Sequence, residues 1–472
     1  MSESAFGSDF FYEKTMITFK LKPAKEKYIQ ILLIIITYIM IILRFLLNEK
    51  GRVSPDSIRY MRQSEIFPVI DNTTAPLGYP LAIKFFTFFE LDHFWSSKLV
   101  GLLAYTVILI FAYRKQFFFK ELMIISSLFS FVSIFSFTMS EEMILPFVVL
   151  YFYLGRQIIN QKYTLTKGSL YLGLCLIAMI NIRYSGLFFC FGNIIFGLMN
   201  FRKNYWKTFG LSGIVGILFY GIYKFTFIDY FNEKYIDTFL EIGLKPTSQL
   251  LLELFQGMAT TFNPFIHIAD PNGGIINYGI YGIGVLTILL MLFLFIKTKL
   301  SDTEKFIVIG SLVCIVLSYF IQYIYSVNAI DYRLMAPFSI GIWMVFFRKL
   351  FTVFGALTYT IGFASLSVGF LFTWLSKGNY LENRKAITTF LKDENLMHSK
   401  LKFYVKDLED NDVQTAELIS TVNPHIYYTF TASDTLKNDV LTRYKVEKKI
   451  SIKKNKYLSL IHISEPTRPE RI

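Results

Sequence analysis

The fold class that the sequence predicts is an all-α polytopic membrane protein. It has about eleven transmembrane helices followed by a small extracytoplasmic α/β domain. Three observations predict it. First, 53% of the 472 residues are hydrophobic and the mean hydropathy is +0.44, whereas a soluble domain is ~45–50% apolar. Second, charged residues make up only 18%, and aromatics match them at 18%, with 50 Phe and 30 Tyr to cover. Third, the apolar residues gather in long runs rather than one-sided stripes. Together these exclude a disordered chain, a coiled coil and an ordinary cytosolic enzyme.

A membrane-crossing helix takes ~20 mostly apolar residues, within about 17–25. The segments near 28–47, 94–112, 121–138, 143–160, 168–182, 184–201, 208–227, 276–296, 305–325, 333–347 and 352–375 meet or approach that length. The 168–201 pair is interrupted at Arg183. The first run is long and lacks a small-residue cleavage site, so it reads as a retained anchor. The net charge of +13 would suggest nucleic acid in a soluble chain. Here the basic residues sit between apolar runs, so topology accounts for them and no nucleic-acid partner is expected. Lys14, Lys20, Lys22, Lys25 and Lys27 precede the first run. Arg114/Lys115/Lys120, Arg156/Lys162/Lys167, Arg202/Lys203/Lys207, Lys297/Lys299/Lys305 and Arg348/Lys349 lie in short connections that the spans above put on the same side. By the positive-inside rule that side is cytoplasmic. The chain is therefore expected in the cytoplasmic (inner) membrane, with its N-terminus inside and its C-terminal domain outside.

The expected organisation is a cytoplasmic segment 1–27, a transmembrane domain 28–375 with long outer loops 48–93 and 228–274, and a mixed α/β domain 376–457. In the last, YLENRKAITTFLKDE reads as helix, and KLKFYV and HIYYTF as strands. Residues Leu458 to Arg468, LSLIHISEPTR, match the in-frame translation of a transposase-end adapter used in sequencing libraries. Residues 458–472 are therefore expected to be non-native, with the true C-terminus missing. Cys175, Cys190 and Cys314 fall inside apolar runs and show neither a disulfide framework nor zinc spacing.

The first outer loop carries the most information: GRVSPDSIRYMRQSEIFPVIDNTTAPLGYPLAIKFF. Ser54 suits a helix N-cap with Pro55 at the first position. Asp56, Arg59, Tyr60 and Gln63 then share a helical face until Pro68 ends the pattern. PLGYP begins a second, apolar and aromatic unit suited to lying in the interface. TMSEEM places Glu141 and Glu142 at an outer turn, with Ser140 as cap. NIRYSG places Arg183, and AIDYRLMAP places Asp331 and Arg333, at outer helix ends. Each has an ordinary alternative. Acids in a first turn complement the helix dipole, and Arg near a helix end snorkels. Two Arg and several acids on one face of a membrane are functional candidates by default. His267 and Asp270 of the second outer loop read as structural.

The order of these elements resembles the GT-C superfamily of membrane glycosyltransferases, in particular the bacterial protein-mannosyltransferase-like and aminoarabinose-transferase-like enzymes, glycosyltransferase family 39-like. The elements are an anchor, an outer loop with an early acid (SPDSIRY), a PLGYP segment, a Ser-Glu pair after the third span, an Arg after the fifth, a late YRLMAP, and a small outer domain. The resemblance covers most of 20–375, largely through topology; where many members pair Asp with Glu, here Ser57 follows Asp56. It implies transfer of a sugar from a polyprenyl-phosphate-linked donor to an acceptor glycan, glycolipid or protein on the outer face. Inversion would follow, with Asp56 as general base. It implies Arg183, Arg333 and then Arg59 as donor-phosphate ligands, and Glu141, Glu142, Tyr60 and Tyr79 at the sugar or acceptor site. The helix around 81–89 would form the prenyl groove. No cofactor is fixed, and a divalent cation held by the acids stays open. Two other readings compete. One is an O-antigen polymerase or ligase, which would carry Arg in a late outer loop where this chain has only Lys234 and Lys245. The other is a flippase or transporter, which would show internal repeats.

Overall fold

The computed structural model describes residues 22–48, 51–71, 73–231, 246–268, 274–325, 330–406, 411–437 and 439–453. Segment 458–472, Lys234, Lys245 and Asp270 lie outside the described residues. The membrane part contains α1 (Pro23–Leu47), α4 (His93–Lys115), α7 (Ser140–Ile159), α8 (Leu165–Ile182), α10 (Trp206–Phe231), α12 (Ile275–Lys297), α13 (Asp302–Tyr325), α14 (Tyr332–Phe354) and α15 (Ala356–Leu375). Among the described residues these nine are long and apolar enough to cross a membrane. Segment 48–93 supplies α2 (Pro55–Ile66) and α3 (Gly78–Thr87), the two units expected there. α1 starts five residues earlier than expected, because Pro23 opens it and Glu26 complements its first turn.

Two expected spans take another form. Segment 121–138 is a broken pair, α5 (Phe119–Ser127) and α6 (Phe129–Phe135), with extended backbone at Leu128. α5 is buried from Leu122 on, and α6 is buried throughout. A break at that depth needs partners for its freed backbone groups. Ser365 of α15 supplies one: its Oγ accepts from Phe129 N at 2.8 Å and donates to the Pro264 carbonyl at 2.6 Å. The span after Arg183 is the shorter α9 (Tyr184–Met199). Segment 228–274 is not confined to the rim. It contributes α11 (Thr247–Thr261), then a turn in which the Asn263 Oδ1 accepts from Phe265 N and Ile266 N. That turn reaches Ser365 and the buried Phe262–Trp343 contact.

α14 is the central helix, buried without interruption from Met335 to Phe347. The basic turns gather at one end of the bundle. Lys120 pairs with Glu26 at 2.6 Å, Lys203 with Asp302 at 3.8 Å, and Lys349 with Glu304 at 3.0 Å.

Beyond α15 lie α16 (Tyr380–Asp393), β1 (Leu401–Tyr404), α17 (Asn411–Ser420), β2 (Ile426–Thr429), β3 (Val440–Leu441) and α18 (Arg443–Glu447). The strands form a parallel sheet in the order β2-β1-β3. This unit does not have a core to itself. Val53, Ile58 and Met61 of segment 48–93 and Phe94 of α4 share one cluster with Ile387, Phe390, Phe403, Ile419 and Ile426. Arg62 places its guanidinium 4.8 Å from the Tyr427 ring centre, and Arg384 pairs with Asp92. Gly51 has φ +60° and lies on the Tyr380 ring, where a Cβ would clash. The C-terminal unit thus holds α2 in place.

His425 sits at this seam, near Glu65 at the end of α2 and His93 at the start of α4, with Arg62 and Lys400 also close. Burial holds its imidazole below the usual 6.5; Glu65 opposes that shift, and Lys400, Arg62 and His93 add to it. The folded state therefore resists a proton that the unfolded chain accepts. Seam stability falls as pH drops through about 6.5 and levels off below the depressed folded value. Limited proteolysis of the C-terminal unit should accelerate from about pH 7.5 to 5.5, and His425→Gln should flatten that dependence. An unchanged slope in the variant contradicts the assignment.

Candidate functional site

α2 begins as its sequence suggests. Ser54 N donates to Ser57 Oγ at 3.0 Å, and Pro55 opens the helix. Asp56 and Arg59, one turn apart, form an ion pair at 3.5 Å. On the same face Tyr60 points inward, and its hydroxyl donates to Ser140 Oγ at 3.1 Å. Ser140 was expected to cap α7. Instead it is the first helical residue, Met139 holds the cap position, and no side chain caps the end. Its hydroxyl is committed elsewhere, accepting from Tyr60 and donating to Glu141 Oε2 at 3.4 Å.

Glu141 is the centre. Its carboxylate side chain is 1% exposed, yet Arg183 Nη1 lies 2.7 Å and Arg333 Nε 3.5 Å from its Oε1. The two Arg side chains are 17% and 22% exposed, while the guanidinium atoms that face the acid, Arg183 Nη1 and Arg333 Nε, are buried. Each Arg stands where a helix ends or begins. Arg183 has extended backbone between α8 and α9. Arg333 is in the first turn of α14, whose N-cap Asp331 accepts from Leu334 N at 3.0 Å.

Glu142, adjacent in sequence, faces the other way. It is fully buried and accepts from the Tyr79 hydroxyl at 2.6 Å. The Tyr60 and Tyr79 rings meet edge to face at 5.0 Å. Gly78 lets α3 approach α8 closely, because a Cβ there would strike the Asn181 carbonyl. The Tyr60 phenol is pushed above the usual range by burial first, then by the Glu141 and Asp56 carboxylates. Burial and Glu142 do the same to Tyr79. Both stay neutral donors at physiological pH.

The structure therefore brings Tyr60, Glu141, Arg183 and Arg333 into one connected cluster, and the Asp56–Arg59 pair stands on the same helix as Tyr60, near enough for the Asp56 charge to act on its phenol. Glu142 and Tyr79 lie behind it as a buried pair. Of the two neighbouring acids, only Glu141 joins the arginines. His267, expected to be structural, packs its ring at a tilt 3.9 Å from that of Tyr332 and 4.7 Å from that of Phe129.

Sequence reasoning missed two cations. Arg52 has positive φ and is buried. It donates to the Ser133 carbonyl at 3.1 Å and stands 4.4 Å over the Phe137 ring, whose centre is 5.8 Å from the Arg333 guanidinium. Lys98 is buried and donates to the carbonyls of Arg52 and Ser136 and to Thr138 Oγ1, all within 3.0 Å. It ties the start of the first loop to the turn before Glu141. A lysine inside the run WSSKLVGLLAY was the available signal, because an intramembrane charge without a purpose is costly.

Among the described residues no group of three or more His, Cys, Asp or Glu is placed to hold a metal ion, and Glu141 is already engaged by two guanidiniums.

No family model and no curated protein matches this chain. One solved structure, ArnT from Cupriavidus metallidurans in the apo state, aligns over 89% of this chain and 90% of its own, at 11% identity and a TM-score of 0.43.

Removing the anchor should be costly. Glu141→Ala leaves two partly buried guanidiniums without their shared partner and should destabilise by about 3–5 kcal/mol, read as a lowered Tm in detergent. Replacing all three, Glu141→Leu with Arg183→Met and Arg333→Met, should recover most of that loss, since apolar substitution of a buried ion cluster is often neutral. A Glu141→Ala variant with unchanged Tm contradicts the anchoring role.

Proposed function

We propose that this protein is an integral membrane glycosyltransferase of the GT-C type. It moves a sugar from a polyprenyl-phosphate-linked donor to an acceptor on the outer face of the cytoplasmic membrane. One observation carries the reading. A buried carboxylate holds Arg183 and Arg333 side by side at a bundle end, and a hydrogen-bonded relay through Ser140 and Tyr60 leads to the helix that bears Asp56. Two neighbouring guanidiniums suit a phosphate, because their forked donors match its oxygens and keep their charge at any physiological pH. The opposite end carries the basic turns, which supports an outer location for the site.

In this mechanism the donor phosphate sits on Arg183 and Arg333. The acceptor hydroxyl attacks the anomeric carbon while Asp56 takes its proton. The bond from the acceptor oxygen to that carbon forms as the bond to the phosphate oxygen breaks. The polyprenyl phosphate leaves with the electron pair, stabilised by the same guanidiniums. A single displacement inverts the anomeric configuration. Arg59 orients Asp56 across 3.5 Å. Tyr60, neutral and hydrogen-bonded, fixes α2 relative to α7. Glu142 and Tyr79 brace α3 behind the site. No step is routed through a cation.

Asp56→Asn keeps the shape and removes the base. Sugar transfer from a polyprenyl-phosphate donor should fall by about 10²–10⁴ with Tm unchanged. Arg333→Lys keeps the charge and loses the fork, so the KM for the donor should rise by at least about tenfold. Near-wild-type transfer by Asp56→Asn would sink the base assignment; an unchanged KM in Arg333→Lys would sink the phosphate assignment.

A further inference from the structure

A further buried carboxylate stands near the start of α14. Glu253 of α11 is buried, and each of its carboxylate oxygens accepts from an amide. Oε1 accepts from Gln249 Nε2 at 3.1 Å, one turn earlier on the same helix. Oε2 accepts from Gln322 Nε2 at 2.6 Å. Gln322 is itself buried, in the last turn of α13. Its own Oε1 accepts from Ile330 N at 3.3 Å, in the chain that leads into α14. Burying a charge is costly, so a neutral residue would be the cheaper choice at 253 unless the charge has a task.

The task is to decide which way an amide faces. A carboxylate only accepts, so Gln322 must give it the NH₂ group and turn its carbonyl oxygen to Ile330. A neutral amide in place of Glu253 could donate as well as accept. Gln322 would then be free to reverse, and the Ile330 N–H would be buried without an acceptor, which is costly. The same face of α11 grips Ile330 a second time. Gly257, one turn beyond Glu253, lies on the Ile330 carbonyl, where a Cβ would clash. α11 is in turn fastened to α12, because Asn263 Nδ2 just beyond its end donates to the Ile280 carbonyl at 2.8 Å.

Only Asp331 and Tyr332 separate Ile330 from Arg333. Asp331 caps α14, and Arg333 follows in its first turn. We infer that Glu253 is a positioning residue for Arg333. Through Gln322 it holds the Ile330 peptide, and through that peptide it sets where α14 begins. Glu141 fixes the guanidinium end of Arg333; Glu253 fixes its backbone end. Recognition of a phosphate by a forked donor depends on both, since a small misplacement of a binding group is enough to lose its hydrogen bonds. The inference rests on the reading of Arg333 as a phosphate ligand.

The test compares binding of polyprenyl monophosphate and of the corresponding polyprenol to the purified full chain. Glu253→Gln keeps size and shape. It should weaken binding of the phosphate several-fold and leave binding of the polyprenol unchanged, because only the phosphate meets Arg333. A general loss of packing would weaken both lipids together. Exchanging the pair, Glu253→Gln with Gln322→Glu, again sets an acceptor-only group opposite Ile330 N and should restore the preference for the phosphate. An undiminished preference in Glu253→Gln, a parallel loss for both lipids, or no rescue by the exchange overturns the assignment. Arg333→Lys is measured beside them. If it loses the preference and Glu253→Gln keeps it, the role of Glu253 alone falls. If Arg333→Lys keeps it as well, the phosphate reading falls and takes this inference with it.

Discussion

A carboxylate almost sealed from solvent, Glu141, lies between two guanidiniums that belong to other helices. Taking such a charge out of water costs several kcal/mol unless partners of good geometry surround it. That requirement organises the bundle end. α7 must start where Glu141 starts, α8 must break where Arg183 can turn back, and α14 must begin with Arg333 in its first turn. The pair of arginines is held ready, so a ligand phosphate would not have to order two long side chains as it binds.

The neighbouring elements serve that arrangement. Lys98 fastens the Arg52 turn to the turn that precedes Glu141. Tyr60 and Ser140 tie α2 to the same acid. The C-terminal unit then fixes α2 from outside, through a core that the two share and through Arg384 and Asp92. A soluble-looking α/β unit on a membrane bundle thus has a structural reason to be there: without it, the helix that carries Asp56 would rest on one side only.

Much of this was legible in the sequence, because the bilayer imposes lengths and charge asymmetry that composition reveals directly. Nine of the eleven expected spans, the SPDSIRY helix start and the strands at KLKFYV and HIYYTF follow from local pattern. What was not legible depends on which way neighbouring side chains point. Glu141 and Glu142 look equivalent in TMSEEM, but successive helical residues diverge by about 100°, and only Glu141 meets the arginines. Ser140 reads as a cap until Tyr60 is known to claim its hydroxyl. The break at Leu128 is hidden in a continuous apolar run, because its compensation comes from Ser365, far along the chain. The inward turn after α11 is hidden in the same way, since its Pro264 carbonyl is satisfied by that serine.

The central claim is that the Glu141-anchored arginines recognise a lipid-borne phosphate. The direct measurement is equilibrium binding of polyprenyl monophosphate to the purified full chain, set against the corresponding polyprenol, which has the same hydrocarbon and no phosphate. Charge-assisted hydrogen bonds contribute about 1.5–3 kcal/mol each, so the phosphate should bind at least about tenfold more tightly. That advantage should vanish in the Arg183→Gln, Arg333→Gln double variant. Equal affinity of the wild-type protein for the two lipids would contradict the account.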